Sequence, residues 1–241
     1  MTDNTETHIF EDVVSPFCGI ASDDLVIEVK GNTITVKENG DAVTKPGFET
    51  PITDLSPRIK GQDVSFEQAV NHIAGLLKSS KQPLIGGMAT DLNGARAAMS
   101  LADMTRSTVD SFYSDNAFKN ILVLQDTGYM TTTLTEVRNR VDLLIVVGSD
   151  IEKGFPRFYE RMIWPQESMF GQDIESREVI YLGKSPSGDA STSPAGKKAS
   201  VLPCDIDDLP EVISVLRALV KGKTILSESV GGIATSELAE L

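Results

Sequence analysis

The run Asp142-Leu143-Leu144-Ile145-Val146-Val147-Gly148 constrains the fold more than any other stretch of the chain. Five successive apolar residues with no polar alternation do not suit a strand with one wet face. They predict a parallel strand covered on both faces and stopping at Gly148. Parallel strands need long crossover connections, usually helices, and the surrounding sequence supplies them. Ser65 followed three residues on by Gln68 has the spacing of a capping box. Phe66, Ala69, Val70, Ile73, Leu76 and Leu77 then recur at helical spacing. Pro83–Met88 reads as a strand around Gly86-Gly87, and Leu92–Met104 as a second helix with a small apolar face. Another strand starts at Thr108-Val109. Helical stretches are expected over 116–125, 135–140 and 155–164, strands over 178–183 and 199–203, and an amphipathic helix over Leu209–Val220. Lys184–Lys198 is rich in Ser, Gly, Pro and Ala and reads as a flexible loop, and the tail closes with a short helix near 236–241. Strands alternating with helices from 64 to 220 predict an α/β fold: an open, largely parallel sheet with helices on both faces.

The first quarter of the chain has a different rhythm. His8–Val14 reads as a short strand. Leu25–Lys30 and Thr33–Glu38 are β-rich runs separated by Gly31-Asn32, a two-residue hairpin turn. From Asn39 to Asp63 the chain is rich in Gly, Pro, Thr and Asp, as an extended linker would be. The expected organisation is a disordered tail over 1–7, a small β-rich unit with its linker over 8–63, and the α/β domain over 64–241.

Composition narrows the function. A net charge of −13 argues against nucleic acid and against an anionic membrane surface as partners. No apolar run approaches the length of a membrane-spanning helix. Met1–Glu6 is polar and acidic, without the basic and apolar regions of a signal peptide, so a cytoplasmic location is expected. Two cysteines, Cys18 and Cys204, give no disulfide framework.

Most candidate chemistry has a bland alternative that fits better. Ligands of open sheets bind at the carboxyl ends of strands, which picks out Gly86-Gly87, Gly148-Ser149-Asp150 and Gly183-Lys184. None is a dinucleotide fingerprint or a P-loop. His8 and His72 are the only histidines and have no metal-ligand spacing. No G-x-S-x-G elbow is present, and Cys204 is followed by Asp205, Asp207 and Asp208, which disfavour a thiolate. Arg157 and Arg161 follow Gly148-Ser149-Asp150 and could pair with an anionic group of a carrier or partner. Salt bridges to the many acidic residues are the better reading for them, and for Arg138 and Arg140.

One loop stands apart. Ser15-Pro16-Phe17-Cys18-Gly19-Ile20-Ala21-Ser22-Asp23-Asp24 reads like a cluster-binding loop from which ligands have been removed. An iron–sulfur cluster takes several thiolates at short spacing from one loop. Here Cys18 has Ser15 three residues before it and Ser22 four after it, and serine lacks the soft thiolate.

This segment resembles the C-P-F-C-G-x-x-C-D-D loop of the formylmethanofuran dehydrogenase B subunit. Further motifs follow in the same order. Val64-Ser65-Phe66-Glu67-Gln68-Ala69 resembles V-S-W-D-E-A, and Pro83-Leu84-Ile85-Gly86-Gly87 resembles P-L-I-Y-G. Leu124-Gln125-Asp126-Thr127-Gly128-Tyr129 resembles L-Q-D-V-G-Y. Thr135–Asp142 resembles G-E-V-K-N-R-A-D, and Pro156-Arg157 resembles H-P-R. The resemblance implies a truncated molybdopterin-oxidoreductase-like scaffold. In that family the loop holds a 4Fe–4S cluster beside a molybdenum or tungsten pterin.

The departures are as telling. The family's fourth cluster cysteine, expected shortly after the hairpin, is absent from Val29 to Ile59. The metal-ligating cysteine is absent from Tyr113–Phe118, where Asn116 falls closest to its place. The pattern is similar to the degenerate B subunit of the bacterial formyltransferase/hydrolase complex, which the resemblance places in methylotrophic one-carbon metabolism. That likeness implies a non-redox, non-catalytic scaffold with no cofactor or metal of its own. Its partners would be the A, C and D subunits of a complex converting formyl-tetrahydromethanopterin to formate. A methanofuran-like carrier and a catalytic metal are expected elsewhere in that complex. The alternatives are a redox subunit completed by thiolates from other chains, and a small-molecule binding protein with a remnant pterin pocket.

Overall fold

A computed structural model describes residues 6–51, 53–171 and 173–240. In chain order its elements begin with β1 (Thr7–Val13), β2 (Leu25–Lys30), β3 (Thr33–Glu38), α1 (Thr44–Glu49), β4 (Arg58–Ile59) and β5 (Gln62–Asp63). Next come α2 (Phe66–Ser79), β6 (Leu84–Met88), α3 (Leu92–Thr105), β7 (Thr108–Ser111), α4 (Ser114–Asp126), α5 (Leu134–Arg140), β8 (Leu143–Val147) and α6 (Ile151–Gly154). A π-helical turn (Tyr159–Ile163) precedes β9 (Glu178–Gly183), β10 (Ser200–Pro203), α7 (Leu209–Val220), β11 (Ser229–Val230), β12 (Ile233–Ala234) and α8 (Thr235–Ala239). The first five residues of the expected tail, and Leu241 of the expected last helix, lie outside the described residues.

The chain forms two compact units that cut it elsewhere than the boundary expected at residue 64. One runs to Pro51 and resumes at Thr132; the other spans Ile52–Thr131. The amino-terminal β elements therefore group with the carboxyl-terminal sheet. The cause is tertiary: loop residues Cys18 and Ile20 pack in the same core as Val146 and Tyr181.

The larger unit holds two sheets of three strands. β1, β2 and β3 form an antiparallel sheet in which Ile27 pairs with Phe10 on one side and Val36 on the other. Leu25, Ile27 and Val36 make its core, with Phe48 of α1 packed against them. The expected extended linker over 39–63 thus contains a helix. Asp41 starts it by accepting hydrogen bonds from Val43 N and Thr44 N, at 2.8 and 2.7 Å. Pro46 and Gly47 sit inside it, and their low helix propensity hides it from the sequence.

β10, β9 and β8 form the second sheet, parallel throughout, with β9 in the middle. β9 is the strand buried on both faces. Val179 and Tyr181 join a core with Val146, Phe158, Tyr159 and Ile163, while Ile180 and Leu182 join another with Leu202, Leu209, Val212 and Leu238. Each fully buried aliphatic side chain here contributes about 1.5–3 kcal/mol. β8 differs from expectation. It is an edge strand: Val146 is buried, but Leu143, Ile145 and Val147 are 40%, 46% and 43% exposed.

The expected helix over 155–164 is a turn followed by the π-helical segment. Trp164 N donates to Tyr159 O at 2.7 Å, the five-residue spacing of a π-turn. Arg177, fully buried, donates to Met162 O, Ile163 O and Arg138 O at 3.2, 2.8 and 2.8 Å, satisfying carbonyls at the ends of the π-turn and α5. Burial pushes its pKa down.

The smaller unit is a parallel pair, β6 and β7, linked through α3, with α2, α4 and the β4–β5 hairpin. The capping box expected at Ser65 is present: Ser65 Oγ accepts from Gln68 N at 3.2 Å and Gln68 Oε1 from Ser65 N at 3.0 Å. Asp91 caps α3 through Gly94 N at 2.7 Å. The expected single open sheet is therefore, among the described residues, several small sheets, of which two are parallel. The mixed α/β class stands.

Candidate functional site

The loop between β1 and β2 folds on itself. Ser15 N donates to Ser22 O at 2.8 Å, closing the segment. Gly19 takes a positive φ of +70°, and a Cβ there would lie 2.5 Å from the Phe155 ring, so the loop needs glycine for both reasons. The closure brings Ser15, Cys18 and Ser22 together, all three 2% exposed or less. Ser15 Oγ accepts from Phe17 N and Cys18 N, both at 3.3 Å. The Cys18 sulfur accepts from Ser22 N at 3.3 Å and lies 3.9 Å from Ser15 O.

A fourth residue joins them that sequence reasoning misses. Thr44, at the start of α1, is completely buried, and its Oγ1 is 2.9 Å from Ser15 Oγ. It also donates to Asp41 Oδ2 at 3.1 Å. Thr44 falls inside the interval, after the hairpin, where the resemblance places a fourth cysteine. The only signal for it in the sequence is a small hydroxyl residue in that interval. Gly47, one turn on, lets the helix approach: a Cβ there would lie 2.5 Å from the Phe17 ring.

The four positions do not fit a cluster. Iron prefers thiolates, and three of the four side chains are hydroxyls. A cube of iron and sulfide would have to stand between side chains that already touch. Instead Ser15 and Thr44 bond each other, and the Ser15 hydroxyl and the Cys18 sulfur accept from loop N–H groups. Ser22 Oγ is the exception, buried with no hydrogen bond of normal geometry, though it lies close enough to the Cys18 sulfur to favour its anionic form. Burial pushes the Cys18 thiol up, but the Ser22 N–H, the nearby Ser22 hydroxyl, the Ile20 N–H and the Ser15 hydroxyl outweigh it and hold the pKa below the ordinary value. The sulfur is closed to solvent, and Cys18 and Cys204 are both free thiols. Cys204 is partly buried; burial, Asp208 and Asp205 push its pKa up.

The acidic end of the loop makes the ion pairs expected of the arginines. Asp24 takes Arg157 in a two-pronged bridge, Nη1 to Oδ1 at 2.7 Å and Nη2 to Oδ2 at 2.8 Å. Arg157 Nη1 also donates to Asn39 O at 2.9 Å and Nε to Glu160 Oε2 at 3.0 Å. Arg161 pairs with Asp24 Oδ2 at 2.9 Å and with Asp23. The Arg157 guanidinium, chiefly by hydrogen bonding, holds the Asp24 carboxyl below the usual carboxylate range against the opposing effect of burial. Arg157 rises in return, through Asp24 first and Glu160 second. Behind the loop, Tyr159 and Tyr181 share a buried hydroxyl–hydroxyl bond of 2.7 Å, and burial pushes both phenols up. Arg138 Nη1 donates to Arg161 O at 3.0 Å, and Arg140 pairs with Glu136 at 2.7 Å.

The remaining candidates are not brought to this place. Asp150 caps α6 through Lys153 N at 3.3 Å. Burial pushes its pKa up, but Ser187, the Lys153 N–H and Lys184 together hold it down. Ser149 is exposed beside it, and Asn116 is exposed on α4 in the other unit. A carboxamide there offers no thiolate to molybdenum or tungsten. His8 and His72 are exposed. Among the described residues no group of three or more His, Cys, Asp or Glu could hold a metal ion, and no helix is long and apolar enough to cross a membrane. Chemically, the loop is a joint: it locks the antiparallel sheet, α1 and the segment before β9 together, through Ser15–Thr44 and the Asp24 and Asp23 bridges to Arg157 and Arg161.

No family model matches the chain. It is 28% identical to the B subunit of tungsten-containing formylmethanofuran dehydrogenase 2 of Methanococcus maripaludis over 96% of this chain and 55% of that protein. The counterpart in Methanocaldococcus jannaschii is 27% identical over the same shares. The B subunit of the formyltransferase/hydrolase complex of Methylorubrum extorquens is 29% identical over 38% of this chain and 25% of that one. The chain thus spans about half the length of the dehydrogenase chains it matches. In fold it is similar to a chain of the crystal structure of the Methylorubrum extorquens formyltransferase/hydrolase complex with methylofuran. The TM-score is 0.56 at 23% identity, over 76% of this chain and 48% of that one. The homologues of this chain are the B subunits of formylmethanofuran dehydrogenase and of the formyltransferase/hydrolase complex.

Proposed function

We propose that this chain is a non-redox, non-catalytic scaffold subunit of a one-carbon complex of the formyltransferase/hydrolase kind. Its partners are the counterparts of the A, C and D subunits, and the reaction converts formyl-tetrahydromethanopterin to formate through a methanofuran-like carrier. Cofactor and catalytic metal reside in other subunits, and the assembly is cytoplasmic. The truncated molybdopterin-oxidoreductase scaffold is kept as a frame for neighbours. The carrying observation is the buried group of Ser15, Cys18, Ser22 and Thr44, in which the Ser15 and Thr44 hydroxyls bond each other and the Cys18 sulfur accepts from Ser22 N–H, where thiolates would have to point at a cluster. A scaffold that abandoned a cofactor must refill its volume, because a void is costly, and close contacts among these buried side chains support that reading. Arg157, Arg161, Ser149 and Asp150 remain the candidates for contact with a carrier or partner. For the two arginines that role competes with their bridges to the loop.

The test joins metal content to company. The chain is co-expressed with its formyltransferase-like and amidohydrolase-like neighbours, purified anaerobically, and analysed for iron, molybdenum and tungsten. The expected result is a stable complex with less than one tenth of an iron per copy of this chain, counted after the metal of the hydrolase-like chain is assigned. Stoichiometric iron with molybdenum or tungsten on this chain would establish the redox reading instead. A chain that stays monomeric in the presence of those neighbours would favour a free-standing binding protein.

A further inference from the structure

We draw no further inference here: the strongest candidate, the aliphatic groove between the β8–β9–β10 sheet and helices α7 and α8, lined by Leu143, Ile145, Leu202, Leu216 and Leu238, is an unpartnered apolar face, and nothing in the structure shows what covers it.

Discussion

Replacing Asp24 by Asn tests whether the acidic end of the loop fastens the amino-terminal sheet to the rest of its unit. The substitution preserves shape and removes one charge. Arg157 loses a two-pronged carboxylate at 2.7 and 2.8 Å and keeps Glu160, which is mostly in water and well screened. Exposed ion pairs contribute about 0.2–1 kcal/mol, and breaking a fully buried one costs about 3–5 kcal/mol. With side chains 9% and 29% exposed, the Arg157–Asp24 pair lies between. The expected loss is about 2–3 kcal/mol at pH 7 in urea melts, or about 4–12 °C in Tm for a chain of this size. The pH dependence carries a definite sign. Asp24 titrates below its unfolded value near 3.9, so its contribution is complete above about pH 4 and is lost as pH falls through the folded pKa. The difference between wild type and Asp24→Asn should be flat from neutral pH to about 5 and shrink below about 4. A loss under about 0.5 kcal/mol, a difference that persists unchanged at low pH, or no coupling in an Asp24→Asn/Arg157→Met cycle would refute the reasoning.

Thr44→Val keeps the volume of a fully buried side chain and removes the hydroxyl shared by Ser15 and Asp41, so it should cost about 1–2 kcal/mol in the same melts. Neutrality would show that the buried group is not held by that hydroxyl. Arg177→Met strips donors from three backbone carbonyls and should cost at least about 3 kcal/mol, with hydrogen exchange rising first over 159–163. In the native protein a thiol reagent should modify Cys204 and spare Cys18, although Cys18 has the lower pKa, because the Cys18 sulfur is closed to solvent. Two equally fast thiols would mean that the loop opens.

Periodicity, caps and turn residues locate the longer helices and strands, but not α1, α6 or the two-residue strands β4, β5, β11 and β12. The capping box at Ser65, the 25–38 hairpin and helix 209–220 are local matters of side chain and backbone. The same locality explains the misses. Pro46 and Gly47 argue against a helix that Asp41 and the packing of Phe48 nevertheless stabilise. A run of Leu, Ile and Val reads the same whether neighbours cover one face or two, so β8 has the sequence of a fully covered strand while β9 holds that place.

The order of short motifs, a property of the chain alone, determined the kinship, and Ser15 and Ser22 on either side of Cys18 are written there too. Only the tertiary structure decided what these side chains meet. Thr44 meets Ser15 across 29 residues, and Asp24 meets Arg157 across 133. Contacts at such separations leave no periodic trace, because they depend on how whole elements stack and not on the spacing of residues within one.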